Sequence, residues 1–154
     1  MDFDVPGLID VKYEEDGDWF EHAFPTDKPS RNKLVGFRKL LDEDGNGLKR
    51  VKVRSSHSKP YTDAIDRITR QMMKMTKAEA AEYEPIANRR AFCEHLLMDW
   101  DFVQRDGQVI ESTMENKMAV MEDNRYRDYQ RFIRAAVLVI QGDYDQSIED
   151  DEGN

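Results

Sequence analysis

Apolar and polar positions change their period along the chain. Leu8-Ile9-Asp10-Val11-Lys12-Tyr13 and Trp19-Phe20-Glu21-His22-Ala23-Phe24 are two apolar-rich runs flanking Glu14-Glu15-Asp16-Gly17-Asp18. An Asp-Gly pair between two such runs predicts an N-terminal β-hairpin. Residues 25–33, with Pro25, Pro29, Ser30 and Asn32, predict a loop, and Leu34 to Leu41 fits a short helix or a strand equally. Asp44-Gly45-Asn46-Gly47 predicts a turn. Beyond it Val51 and Val53 alternate with Lys49, Arg50, Lys52 and Arg54, the period of a half-buried strand with a basic outer face.

From Lys59 the spacing becomes three and four. Ile65, Ile68, Met72 and Met75 place one apolar face on a helix from about Tyr61 to Met75. Thr76-Lys77-Ala78-Glu79 has the spacing of a capping box and predicts a second helix running toward Trp100, with Tyr83, Ile86, Ala87, Leu96, Leu97 and Trp100 inward. Pro85 is expected to kink it or delay its regular start. Phe102 to Ile110, around Asp106-Gly107, predicts a short hairpin or loop. A third helix opens at Ser112 or Thr113 and carries Met114, Met118 and Met121 on one face. Asn124 is the expected cap of a fourth, in which Tyr129, Phe132, Ile133, Ala136, Val137 and Ile140 form a stripe that Gly142 ends. The expected class is therefore α+β. A hairpin or small antiparallel sheet over 1–58 precedes about four helices over 59–142, and an acidic stretch, 143–154, has too few apolar residues to order itself.

Composition narrows the function classes. In 154 residues, charged side chains make up 36% against 39% hydrophobic, enough for one core beneath a heavily charged surface. No apolar run approaches the roughly 20 residues that span a bilayer, and Met1-Asp2-Phe3-Asp4 lacks the positive opening of a signal peptide, so a cytosolic, membrane-free chain is expected. Cys93 stands alone, which excludes an intrachain disulfide and a thiolate metal cluster. The net charge of -9 disfavours nucleic acid as a partner. It is segmented: acids dominate 1–21 and 143–154, whereas 28–59 carries Lys28, Arg31, Lys33, Arg38, Lys39, Lys49, Arg50, Lys52, Arg54 and Lys59.

Candidate chemistry is sparse. Asp42, Asp44 and Asn46 stand at loop positions 1, 3 and 5 of an EF-hand-like opening, but Val53 occupies the place of the bidentate Glu, so a turn is the stronger reading. His22, His57 and His95 are scattered, Cys93 and His95 fall on different helical faces, and no nucleophile, P-loop or zinc motif occurs. The pair Asp99 and Asp101 is of a kind expected by chance among 32 acids. No enzymatic role and no cofactor is therefore expected. Methionine is concentrated at Met72, Met73 and Met75, and again at Met98, Met114, Met118 and Met121, which suits either an irregular core or an adaptable partner surface.

The run Ala91-Phe92-Cys93-Glu94-His95-Leu96-Leu97-Met98-Asp99-Trp100 is followed by Val103, Asp106-Gly107 and Thr113-Met114-Glu115-Asn116. Arg125-Tyr126-Arg127-Asp128-Tyr129-Gln130-Arg131-Phe132-Ile133 and Ala135-Ala136 complete the series. In order and spacing these segments resemble the tail assembly chaperones of long-tailed, siphovirus-like bacteriophages, with weaker similarity at Trp19-Phe20 and from Val51 to Ile68. Met114 departs from the helix-opening proline of that family, and Pro25 to Gly47 has the look of an insertion. The resemblance implies a host-cytoplasmic protein, absent from the mature virion, that binds and solubilises the tape measure protein while the major tail tube protein polymerises, with a homo-oligomer as one possible state. Met72, Met75, Trp100, Met114, Met118, Met121, Tyr126 and Tyr129, from the methionine-rich apolar faces, are the expected partner-binding residues. The alternatives are a tail structural or connector component and an acidic DNA mimic that inhibits a host nuclease. Against the second, the acids sit at both ends of a basic centre.

Overall fold

A computed structural model describes residues 4–23 and 32–142. Most of the expected 25–33 loop and the stretch 143–154 lie outside the described residues. The class is α+β, as the pattern predicts. In chain order the elements are α1 (Val11–Asp16), β1 (Asp18–Ala23), β2 (Lys33–Val35), β3 (Gly47–Val53), α2 (Lys59–Met72), α3 (Lys77–Ala91), β4 (Leu97–Val103), α4 (Met114–Glu122) and α5 (Arg127–Ile140).

The strands form one mixed sheet in the order β2-β1-β3-β4, with β1 and β2 parallel and the other pairs antiparallel. Because side chains alternate across a strand, the register sorts them into two faces. One row, Phe20, Val51 and Trp100, points inward, as do Leu34, Leu48, Val53, Leu97 and Phe102. Against them α5 lays the predicted stripe, with Phe132, Ile133, Ala136, Val137 and Ile140 all buried. The opposite row pairs Lys33 with Glu21, Glu21 with Arg50 and Arg50 with Asp101, so charge alternates across all four strands. Lys33 Nζ is 3.8 Å from Glu21 Oε1, Arg50 Nε bonds Asp101 Oδ2, and the Arg50 guanidinium also lies 4.3 Å from the Trp19 ring centroid. The inner face holds the core, and the outer face is a ladder of ion pairs.

The segment resembling an insertion contributes to that core in its described part. Leu34, Phe37 and Leu40 are buried, Phe37 meets Phe132 edge-on at 5.3 Å, and Lys39 pairs with Asp128 of α5 at 3.4 Å. Leu34 to Leu41, ambiguous in sequence, divides between β2 and a 3-10 turn over Arg38–Leu40. Gly47 opens β3 at φ 124°, where a Cβ would collide with the Leu40 carbonyl, so the close approach of that turn requires glycine.

Three expectations are corrected. The N-terminal hairpin does not form: Asp10 accepts from Tyr13 N at 3.0 Å and starts α1, so Val11–Asp16 is helical and Leu8, Ile9 and Val11 are exposed. The helical turn directs Glu14 to Ser55 Oγ at 2.6 Å and Tyr13 Oη to Asp18 at 3.0 Å. Gly17 ends it at φ 77°, with Val53 O only 2.5 Å from where a Cβ would sit. The second long helix does not reach Trp100; it passes through a π-turn over Phe92–Leu96 and becomes β4. Consequently the sheet joins residues from 1–58 with residues from 59–142, and both contribute to one core cluster. Lastly, the entry to α5 is a 3-10 turn capped by Asp123, which accepts from Arg125 N at 2.9 Å; Asn124 is not the cap.

Ile86, expected on the inward side of the second helix, is exposed on α3, whereas the remaining cap and stop signals are realised. Thr76 and Glu79 exchange both bonds of a capping box, Thr113 caps α4 by accepting from Asn116 N, and Gly142 follows α5 at φ 80°. Pro85 is carried inside α3. Among the described residues no helix is long and apolar enough to cross a membrane.

Candidate functional site

α2 and α3 form a helical arm whose seam is incompletely buried. Tyr61, Ile65, Ile68, Met72 and Met75 follow a four-three-four-three spacing along α2 and its turn, the period of a helix-packing seam. α3 answers with small or sparse groups, Ala80, Tyr83, Ala87 and Ala91, so the larger α2 residues remain only half-buried. Of both helices only Ala64 and Ala91 are buried. Met73 and Ile86 are 81% and 58% exposed, values that put apolar surface in water on both sides of the arm.

Two grooves result. One, of about 610 Å3, is lined by Ile65, Ile68, Met72, Met73, Ala80 and Glu84 among others. The other, of about 480 Å3, has Ile68, Tyr83, Ile86 and Ala87 as its apolar part, with Arg67 and Arg90 beside them. Each is open and elongated along two helices, the geometry in which a third helix completes a bundle.

The expected partner-binding residues separate into an arm group and a body group. Met72 lines the larger groove and Met75 lies half-buried at the arm's turn. Trp100 and Met121, 4% and 5% exposed, face the core rather than a partner; Trp100 Nε1 donates to Ile110 O at 2.8 Å. Met114 and Met118 pack half-buried on the core edge. Tyr129 stacks between Phe102 and Tyr126 at 5.1 and 6.0 Å, and burial raises its phenol pKa. Ile65, Ile68, Met73, Tyr83, Ile86, Arg67 and Arg90 were not among the expected site residues. Their signal is the pairing of a seam of large residues with an alanine-rich helix, which cannot cover it.

The candidate chemical groups have structural duties. Asp42 Oδ1 accepts from Asp44 N and Asn46 N at 2.9 and 2.8 Å, closing the EF-hand-like stretch into a turn. Among the described residues no group of three or more His, Cys, Asp or Glu side chains is placed to hold a metal ion. Asp99 Oδ1 accepts from Ser112 Oγ and Trp100 N, while Asp101 pairs with Arg50. Cys93 is fully buried, and burial pushes its thiol up to about 11 despite the nearby Lys117 and Arg89 cations. Lys117 is itself buried, donating to Met98 O at 3.3 Å; burial lowers its pKa, opposed by Cys93 and Asp99. His95 Nε2 lies 3.7 Å from Glu94 Oε2.

His22 is the one buried imidazole among the described residues, and it lacks a polar partner there. It stands edge-on to Phe132 at 4.3 Å, neither ring nitrogen is hydrogen-bonded, and burial lowers its pKa to about 4.

Compared with protein-family models, curated proteins and solved structures, the chain returns no match.

Proposed function

We propose that this protein is an assembly chaperone of the kind long-tailed phages use, holding a helical, aggregation-prone tape measure protein in the grooves of the α2–α3 arm. The observation that supports this reading is the under-covered seam: Ile65, Ile68 and Met72 meet an α3 side built mainly of alanines with Tyr83, leaving two grooves shaped for a further helix. The resemblance of Ala91 to Ala136 to that family supplies the identity of the partner. Affinity arises from burial of apolar surface, at about 25 cal/mol per Å2 before ordering costs. Methionine at the rim adapts to successive segments of a long partner. The ion-pair ladder on the far side of the sheet keeps the complex soluble. Release follows as major tail tube subunits compete for the partner, leaving the chaperone in the host cytoplasm.

Co-expression with the tape measure protein of the same phage is the test. A soluble complex is expected with the wild-type chain. The M72E/M73E double variant is expected to lose capture while the chain stays folded, as circular dichroism would show, because neither position belongs to the core cluster. A partner that stays insoluble with wild type, or capture that survives M72E/M73E, would sink this reading. Mass spectrometry of purified virions is expected to show the chain far below stoichiometric amounts.

A further inference from the structure

The last described residues lie at the root of the arm. Gln141 follows α5, its Oε1 accepts from Ser56 Oγ, and Ser56 precedes the first residue of α2 by three positions. Close by in sequence, Arg54 Nη1 donates to the His95 carbonyl at 3.2 Å, and His95 closes the root end of the smaller groove. The chain therefore leaves α5 at the root of the arm, the end at which His95 lines that groove.

Composition of the two surfaces is complementary. The groove carries Arg67 and Arg90, and among the described residues neither forms an ion pair; Glu94, at the root, sits with His95. Residues 143–154 contain Asp143, Asp145, Glu149, Asp150, Asp151 and Glu152 and no Lys or Arg. They also contain Tyr144 and Ile148, four positions apart, which a helical turn would present on one side.

We propose that residues 143–154 dock in the smaller groove of their own chain, Tyr144 and Ile148 on its apolar floor and the acids against Arg67 and Arg90. Reach is ample: the segment spans up to about 40 Å when extended, whereas Ala64 to Gln71 on α2 covers only about 10 Å. Tethering supplies an effective concentration of order millimolar, so a weak intrinsic affinity suffices. The segment then acts as an internal competitor, which any helical partner or second copy must displace from this side of the arm. The proposal holds whatever that partner is.

The test uses the full chain carrying S147C with a nitroxide spin label. Cys93 does not compete for the label, because it is buried and held as the thiol. Loss of peak height is expected for the backbone amides of Ile68, Tyr83, Ile86 and Arg90. It is expected to vanish in R67E/R90E and to weaken near 1 M salt, where the screening length is about 3 Å. A second variant replaces the six acids by their amides and leaves the folded body untouched. It is expected to abolish the loss, which keeps the result readable if R67E/R90E is destabilised. Absence of loss in the groove, loss centred elsewhere, or persistence in the amide variant overturns the proposal. So does equal loss when spin-labelled chain is mixed with isotope-labelled chain lacking the nitroxide, since the contact then lies between copies.

Discussion

His22 faces the interior from β1 with a phenyl edge beside it and no hydrogen-bond partner among the described residues. Burial holds its pKa near 4 in the fold, against 6.5 for an ordinary imidazole. Above pH 6.5 the ring is neutral in both folded and unfolded chains, and its full contribution to stability is present. As pH falls from 6.5 toward 4, the unfolded chain takes up a proton that the fold refuses, and stability declines. The loss reaches at most about 3 kcal/mol, because each pH step between the two pKa values is worth about 1.36 kcal/mol. Urea unfolding between pH 7 and pH 4 is expected to show this slope in the wild type and a flatter one in His22→Phe. An identical slope in the variant assigns the acid sensitivity to other groups. Nothing in the spacing of the three histidines singles His22 out. Its environment is set by Phe132 of α5, far along the chain, so only the fold distinguishes it from His57.

Among the elements, the outer face of the sheet is the most regular, with Lys33, Glu21, Arg50 and Asp101 alternating in sign across four strands. Both members of the Arg50 and Asp101 pair are nearly half exposed, so solvent screens much of their attraction. A double-mutant cycle with Arg50→Ala and Asp101→Ala is expected to give a coupling of about 0.2–1 kcal/mol that shrinks with added salt. Coupling that is zero at low salt would leave the ladder as solvation alone. How legible each element was depends on how local its cause is. The α5 stripe and the Thr76 and Thr113 caps need only their own residues, and they form as the sequence predicts. β4 needed its partner strand. A register shift at Lys52 and Val53 breaks its alternation, so Leu97, Trp100 and Phe102 are the buried positions, and the three-residue step imitates a helix. Leu8 to Tyr13 erred in the opposite direction, because apolar alternation hid the Asp10 cap and the use of Glu14 by Ser55. The candidate site was half legible. Met72 and Met75 were expected at a partner surface and lie on the arm, whereas Trp100 of β4 and Met121 of α4 belong to the core, since methionine and tryptophan content says nothing of which side of an element faces in.

For the molecule as a whole, packing is divided between a dense sheet-and-α5 body and an arm with two buried residues. Opening free energies follow buried contacts, so amides near the arm's turn are expected to exchange through local opening, well before those of β3, β4 and α5. Native-state hydrogen exchange checks this; uniform protection across arm and body would mean that the arm is held by contacts the chain forms elsewhere. The π-turn adds a mechanical consequence. α3 has no loop at its root: Leu96 ends the turn, Leu97 begins β4, and both side chains are fully enclosed. A hinge needs a few residues free to rotate, and this joint has none. The arm is thus a cantilever clamped into the sheet, and a load applied near Met72 reaches β4 as bending of a stiff beam instead of being absorbed at a pivot.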